Sequence, residues 1–391
     1  MSTYLQSGLQ NDCCGCGACV DICPTNAISM IVGNDASLYP KVDLNICKSC
    51  EKCKKVCPMN YSPRLIQYEP KAYAGYLKDE SLRNKSASGG AFEAIIASLE
   101  KNNADLLVAG AIWDGTKVKH VLVEASKREK LKKSKYSQSE SNEIYKKVEK
   151  SLKENKQVVF TGTPCQCVAL KNYLKVDYDN LLVVDIVCHG VPGNKILSRY
   201  IEEIEKKYHS NVINISFREK KKDIYGEIHS DYMRVELSKG KVLMGNKKTN
   251  DYLIGFHKGV FYRESCYSCK YATPQRYSDI TIGDYWHIQK KYPALIDYSG
   301  ISCVLVNSAK GEKTINNIDN FELLETDVDY LIKHNGQLNA PSEKPISREA
   351  FFRDLDSKSF SKNIHNNVAR RKVMNNMVSS LLPRQLKHRN K

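Results

Sequence analysis

The sequence predicts an α/β (α+β) body behind a small, cysteine-rich N-terminal head, and three observations carry that prediction. The run C-x2-C-x2-C-x3-C-P occurs twice, at Cys13, Cys16, Cys19, Cys23 and Pro24 and again at Cys47, Cys50, Cys53, Cys57 and Pro58. From Lys71 onward, strand-like and helix-like apolar patterns alternate. Leu181 to Val187 is an apolar run broken only by Asp185, the pattern of a strand buried inside a sheet.

The chemistry of the spacing justifies the head. Three thiolates in a tight loop wrap three irons of one cubane, and the fourth, followed by a proline that turns the chain away, serves the other cubane. Cluster one is therefore assigned Cys13, Cys16, Cys19 and Cys57, and cluster two Cys47, Cys50, Cys53 and Cys23. A single C-x2-C would leave zinc ribbons or disulfides open, whereas two full copies favour [4Fe-4S] clusters. Ala27 to Val32 reads as a short strand between the two runs, and the head is bounded at residues 1–66.

A chain of 391 residues has room for two or three domains. Its N-terminus lacks a basic stretch leading into an apolar one, and no apolar run approaches the roughly 18 residues of a spanning helix. The expectation is a cytoplasmic protein whose fifteen cysteines stay reduced and serve as metal ligands rather than disulfides. The net charge of +16 favours acidic partners: a redox protein, an anionic coenzyme, nucleic acid or a membrane face. Many of the lysines fall on predicted helices, so a solvated surface explains the charge equally well.

The body is expected over residues 67–310. Strands are predicted at Ala72–Leu77, Asp105–Ile112, Lys117–Glu124, Val158–Thr161, Asp279–Ile282 and Cys303–Val306, besides Leu181–Val187. Helices are predicted at Ala91–Leu99, after Ser141 from the spacing of Ile144, Val148 and Leu152, from Gln166 to Tyr173, and through Ile196, Tyr200, Ile204 and Tyr208. Tyr232–Leu237 and Lys241–Met244 flank a turn as a hairpin. Residues 311–391 are expected to be a helical region ending in a basic tail. From Ser361 the tail holds eight Lys or Arg and no acid, with Ile364, Val368, Met374, Met377 and Leu381 on one face. Packing on the body or docking to a membrane or partner both fit it.

Four more cysteines stand at places that need explaining. Cys165 follows the strand-turn Gly162-Thr163-Pro164, Cys188 ends the apolar run, and Cys266 and Cys269 form a C-x2-C. A third cluster, a zinc site and ordinary buried cysteines all fit this pattern; Cys14, Cys167 and Cys303 read as buried or loop-borne thiols. Ser86, Ser88, Gly89 and Gly90 run into the helix at Ala91, which suits an anion such as phosphate and equally suits a plain cap. Asp279, Gly283, Asp284 and Trp286 mark a strand ending in acids and aromatics, fit to stack a flat ring or to close the core.

These segments in order resemble one family: S-A-S-G-G at Ser86–Gly90, K-Y-S-Q-S at Lys135–Ser139, F-T-G-T-P-C-Q at Phe160–Gln166, D-I-V-C-H-G-V-P at Asp185–Pro192, and C-Y-S-C-K-Y followed by S-D-I-T-I-G-D-Y-W at Ser278–Trp286. The chain is similar to the coenzyme F420 hydrogenase/dehydrogenase β-subunit family, in the ferredoxin-fused branch that includes 7-hydroxymethyl chlorophyll a reductase-like proteins. The resemblance covers roughly residues 1–310. It implies an FAD-binding body, with Ser88, Gly89, Gly90, Lys135, Tyr136, Ser139 and Gln166 on the flavin side. It also implies a third [4Fe-4S] cluster on Cys165, Cys188, Cys266 and Cys269. The chain departs from the family at His287, where glycine is usual, and at Gly193, where serine is usual. Both are expected near the entry of a second substrate, which leaves use of a deazaflavin coenzyme open.

The function expected from this is an iron–sulfur flavoprotein oxidoreductase that exchanges electrons with a ferredoxin or other one-electron carrier and acts on a small organic molecule. His189 and His287 are proton-handling candidates by position, against a structural role for either. An electron-input subunit of a larger redox complex is the alternative in the same chemistry. A nucleic-acid-binding iron–sulfur protein is the alternative from another class, with no zinc-finger or RNA-binding signature behind it.

Overall fold

The computed structural model describes residues 3–65, 67–115, 117–141, 143–222, 228–295 and 300–369. The chain forms a mixed α/β body around a central mixed sheet, with the dicluster head at its N-terminus. Its strands are β1 Ile28–Val32, β2 Leu38–Val42, β3 Lys71–Leu77, β4 Leu107–Trp113, β5 Val118–Glu124, β6 Val158–Gly162 and β7 Leu181–Ile186. They continue with β8 Val212–Lys222, β9 Ile228–Leu237, β10 Val242–Gly245, β11 Ile280–Asp284, β12 Ser302–Val306 and β13 Phe321–Thr326. The head carries the antiparallel pair β1–β2, and β2 is a strand that the proline in its middle concealed.

The central sheet has eight strands in the order β13-β3-β12-β11-β7-β6-β4-β5. Its middle is parallel, β11 with β7, β7 with β6 and β6 with β4, and antiparallel strands extend it on both sides. Apolar β7 and β6 are buried on both faces because helices cover them. The helix Ala91–Asn102 packs Ala94, Ile95 and Ile96 on one face, and the helices Ile144–Lys153 and Pro164–Leu174 pack on the other. Loops leaving the carboxyl ends of parallel strands gather at one edge, and that edge carries the site.

Between β7 and β11 the chain builds a second unit. The helix Asn194–Tyr208, the antiparallel sheet β10-β9-β8 and the helix Asp251–His257 share a core with the C-terminal helices Ser347–Asp354 and Phe360–Ile364. The predicted hairpin is the β9–β10 pair, with Val242 opposite Glu236. The long strand β8 was hidden by its run of charged residues. Residues 311–391 are not purely helical: Phe321–Thr326 pairs with all but the first residue of β3 as the sheet's edge. Phe321 anchors its start and Thr326 its end, both buried, while Glu322 and Glu325 stay in water. In the tail, Ile364 is fully buried against the second unit, while Met374, Met377 and Leu381 lie outside the described residues.

Candidate active site

The site begins with local capping. Thr163 and Gln166 form a reciprocal box at the start of the helix Pro164–Leu174, Gln166 Oε1 accepting from the Thr163 backbone N–H at 3.0 Å. Proline at the first helical position preorganises that turn. The box holds Cys165 in the first turn, where the helix's positive end favours a thiolate. Thr163 Oγ1 lies 3.2 Å from its sulfur.

Cys165, Cys188, Cys266 and Cys269 come together from three separated segments. All four, with Cys14, line one small cavity of about 40 Å³. Burial pushes the Cys188 thiol well above its ordinary range, and Cys266, Cys165 and Cys269 raise it further by charge repulsion. Burial likewise pushes Cys266 up to about 12. Protonated thiols with such neighbours are what a metal centre reverses, because its positive charge takes the thiolate form. Among the described residues no three metal-binding side chains close on a single ion-sized point; the thiols stand around a space instead.

The head's thiols stand close enough to repel one another as anions, across as well as within the two predicted sets. Cys13, Cys57 and Cys53 raise Cys19 after burial, and Cys50 and Cys23 raise Cys53 after burial. Cys14, which its spacing left without a role, is within hydrogen-bonding reach of both Cys16 in the head and Cys165 in the body. Cys167 and Cys303 are buried in the body, Cys167 with its sulfur against the Val184 carbonyl.

A second, larger cavity of about 700 Å³ adjoins the first, and Cys14, Cys188 and His189 line both. Ser86, Ser88, Gly90, Lys135, Tyr136, Ser139, Gln166, Gly283 and Asp284 all line it, as does Trp286. The loop before the helix Ala91–Asn102 is tied down by Ser88 Oγ, which donates to the Ile301 carbonyl at 2.9 Å, and by Leu77 N–H, which donates to Gly89 O at 2.8 Å. Among the described residues the backbone N–H groups of Ala87, Ser88 and Gly90 carry no hydrogen bond. Gly90 has φ +95°, and a Cβ there would stand 2.4 Å from Leu77 Cδ1. Gly89 itself lies outside the cavity, pressed onto β3 and β12, where a Cβ would stand 2.3 Å from Gly75 O.

Lys135 Nζ donates to the carbonyls of Lys132 at 2.6 Å, Lys130 at 3.1 Å and Lys133 at 3.2 Å. Burial, with the Lys133 charge beside it, brings its pKa down to about 7. Tyr136 stacks on Phe256 with ring centroids 4.0 Å apart. Asp284 is held by Arg218, whose Nη1 donates at 2.5 Å.

His120 was missed by sequence reading. Its Nε2 donates to Thr161 O at 2.8 Å, and Nδ1 accepts from Ser139 Oγ at 3.1 Å. Burial lowers its pKa to about 4, so the ring is neutral and this tautomer is fixed. Gln166 Nε2 donates to Ser139 at 3.0 Å and completes the chain. The only sequence signal was a histidine at an inward position of an alternating strand.

Three expected residues stand elsewhere. Asp279 sits at the opposite end of β11, accepting from Val183 N–H at 2.8 Å and Ser308 Oγ at 2.7 Å, because a carboxylate there ties the strand starts together. His287 is exposed, in a left-handed turn beside His334, and does not line the cavity. Gly193 does not border a substrate entry: a Cβ on it would stand 2.2 Å from Ala36 O of the head.

The head is fixed directly over the small cavity. Tyr271 Oη donates to Pro58 O at 2.6 Å, Tyr145 Oη to Cys16 O at 3.0 Å, and Asn172 Nδ2 to Tyr61 O at 2.9 Å. Buried Arg263 donates to Leu38 O at 2.6 Å and Cys13 O at 3.3 Å, and its guanidinium lies 4.5 Å from the Tyr39 ring centroid.

Comparison with known proteins follows the same division. Residues 12–61 match the 4Fe-4S dicluster domain, and residues 155–329 match the family defined by the carboxyl-terminal part of the beta subunit of coenzyme F420 hydrogenase/dehydrogenase. No curated protein matches the chain. Among solved structures, a chain from the xenon-derivatised F420-reducing [NiFe] hydrogenase complex of Methanosarcina barkeri is similar at 16% identity. The alignment covers 73% of this chain and 98% of that one, with a TM-score of 0.42. The chain thus joins a region that matches the 4Fe-4S dicluster domain to one that matches the carboxyl-terminal beta-subunit family of the coenzyme F420 hydrogenases and dehydrogenases.

Proposed function

We propose that the chain is an iron–sulfur flavoprotein oxidoreductase that moves electrons between a one-electron carrier protein and a small organic substrate. One observation carries the reading: the four-thiol cavity lies between the head and the large cavity, sharing Cys14, Cys188 and His189 with the latter. Cys165, Cys188, Cys266 and Cys269 would hold a third [4Fe-4S] cluster. The residues lining the large cavity suit FAD. Unbonded N–H groups at the start of a helix suit a pyrophosphate, and Lys135 lines the same cavity.

When bound, FAD supplies the exchange between single electrons and two-electron chemistry on the substrate. The chain's own residues do the rest. The chain Gln166–Ser139–His120–Thr161 fixes polar groups on the cavity wall in one orientation. Arg218 and Asp284 compensate each other there, so neither charge is left unpaired. Tyr136, held flat on Phe256, excludes water from one side. His189 is the proton-handling candidate that remains once His287 is found outside the cavity.

The test is anaerobic purification followed by denaturation in acid. Non-covalent FAD released near one per chain is the expected result. Protein that carries no flavin and binds none on addition would overturn the reading.

A further inference from the structure

Cys50 is the one exposed cysteine of the fifteen, and it belongs to the Cys47, Cys50, Cys53 set on the head's outer side. In the segment just before it, large aliphatic side chains that serve no core stand in water: Leu44 is 83% exposed and Ile46 47%. The segment Lys41–Lys55 holds five lysines against two acids, Asp43 and Glu51. Glu51 lies 3.7 Å from Lys54, and Asp43 is engaged with the Asn45 N–H at 2.9 Å. Lys41, Lys48, Lys52 and Lys55 are exposed or half-exposed and form no ion pair among the described residues. By contrast, the Cys13, Cys16, Cys19, Cys57 set faces the body and is covered by it.

We infer that this face is the docking surface for an acidic one-electron carrier protein, one with carboxylates around its own iron–sulfur centre. The inference rests on the proposed electron relay and adds where the electrons enter or leave. Exposed aliphatics and unpaired lysines on one short segment suit a transient interface: the aliphatics exclude water, and the lysines steer an oppositely charged partner. Electron transfer falls steeply with distance, so a carrier must meet the head at its least covered cysteine. One electron crosses, the carrier's centre being oxidised and the head's second cluster reduced. No bond forms and no proton moves.

The full-length, reconstituted protein and a reduced acidic [2Fe-2S] ferredoxin test this, with the triple variant K48E/K52E/K55E and the single variant L44D. Iron content checks that each variant keeps its head. Binding of the oxidised ferredoxin, read by titration calorimetry at low salt, should weaken tenfold or more in the triple variant and at least severalfold in L44D. The difference should shrink at 1 M salt, where the screening length falls to about 3 Å. Carbodiimide cross-linking should join ferredoxin carboxylates to Lys48, Lys52 or Lys55. Reduction by methyl viologen radical, a small cation that needs no docking face, should be unchanged. Equal ferredoxin binding by wild type and triple variant would overturn the inference. So would co-sedimentation with phosphatidylglycerol vesicles that only the triple variant loses while ferredoxin binding stays. Flavin that methyl viologen cannot reduce even in the wild type would instead overturn the relay itself.

Discussion

Arg263 donates to Gln138 Oε1 at 2.9 Å, and Gln138 Nε2 in turn donates to Gly15 O at 3.1 Å, so one buried pair ties two lengths of the body to the head's first cysteine loop. Gly15 is required there: it has φ +73°, and a Cβ would stand 2.4 Å from Arg263 Nη2. Arg263→Leu would remove the guanidinium's donors from the Leu38 carbonyl, from Cys13 O, which keeps Ser265 Oγ at 2.8 Å, and from Gln138 Oε1, which keeps the Leu38 N–H at 3.0 Å. A loss of about 3 kcal/mol is expected in anaerobic urea unfolding, with slower passage of electrons from head to flavin. A variant as stable as the wild type would show that the latch carries no load.

Cys266→Ser should separate the third thiol set from the head. Iron is expected to fall from about twelve to about eight per chain, with flavin reduction from a one-electron donor slowed. Cys14→Ala should keep about twelve irons, since its thiol lies beside the assigned ligands without being one of them. Loss of a cluster from the Cys14 variant would redraw the ligand assignment.

Gly90→Val places a branched side chain where φ is +95° and Leu77 already stands. The loop must move, and the N–H groups of Ala87, Ser88 and Gly90 move with it. Flavin occupancy should fall several-fold while head iron is retained. Full occupancy would remove this loop from the flavin site.

His120 sets a pH dependence. Its folded pKa of about 4 lies below the ordinary value, so between about pH 6.5 and 4 the unfolded chain binds more protons and stability falls as pH falls. The expected loss between pH 7 and 5 is about 2 kcal/mol, measured as urea midpoints, and His120→Gln should flatten the slope. An identical slope in the variant would assign the acid sensitivity to other groups.

Sequence reading found what is local or strongly patterned. The two cysteine runs and the apolar strands β6 and β7 are written in spacing and composition. β8 escaped because it ends in a run of charged residues and β13 because its acids fall on both faces, and only pairing with β9 or β3 reveals them as strands. The same limit applied at the site. Ser88, Lys135 and Gln166 stand in recognisable segments, whereas His120, Arg218 and Arg263 matter because distant backbone folds onto them. Asp279 looked like a site residue because it shares a strand with Asp284, but the strand's two ends do different work.

The two kinds of thiol set also differ in when they can form. Cys13 to Cys57 lie in one short stretch, so the head's cysteines can meet early, while the rest of the chain is still disordered. Cys165, Cys188, Cys266 and Cys269 cannot meet until β6, β7 and the whole inserted second unit are in place, because long-range contacts wait on loop closure. With the proposed cluster on the body set, maturation would be ordered, head first and body set last. Under iron starvation the chain should accumulate as a species with a filled head and an immature, loosely closed body.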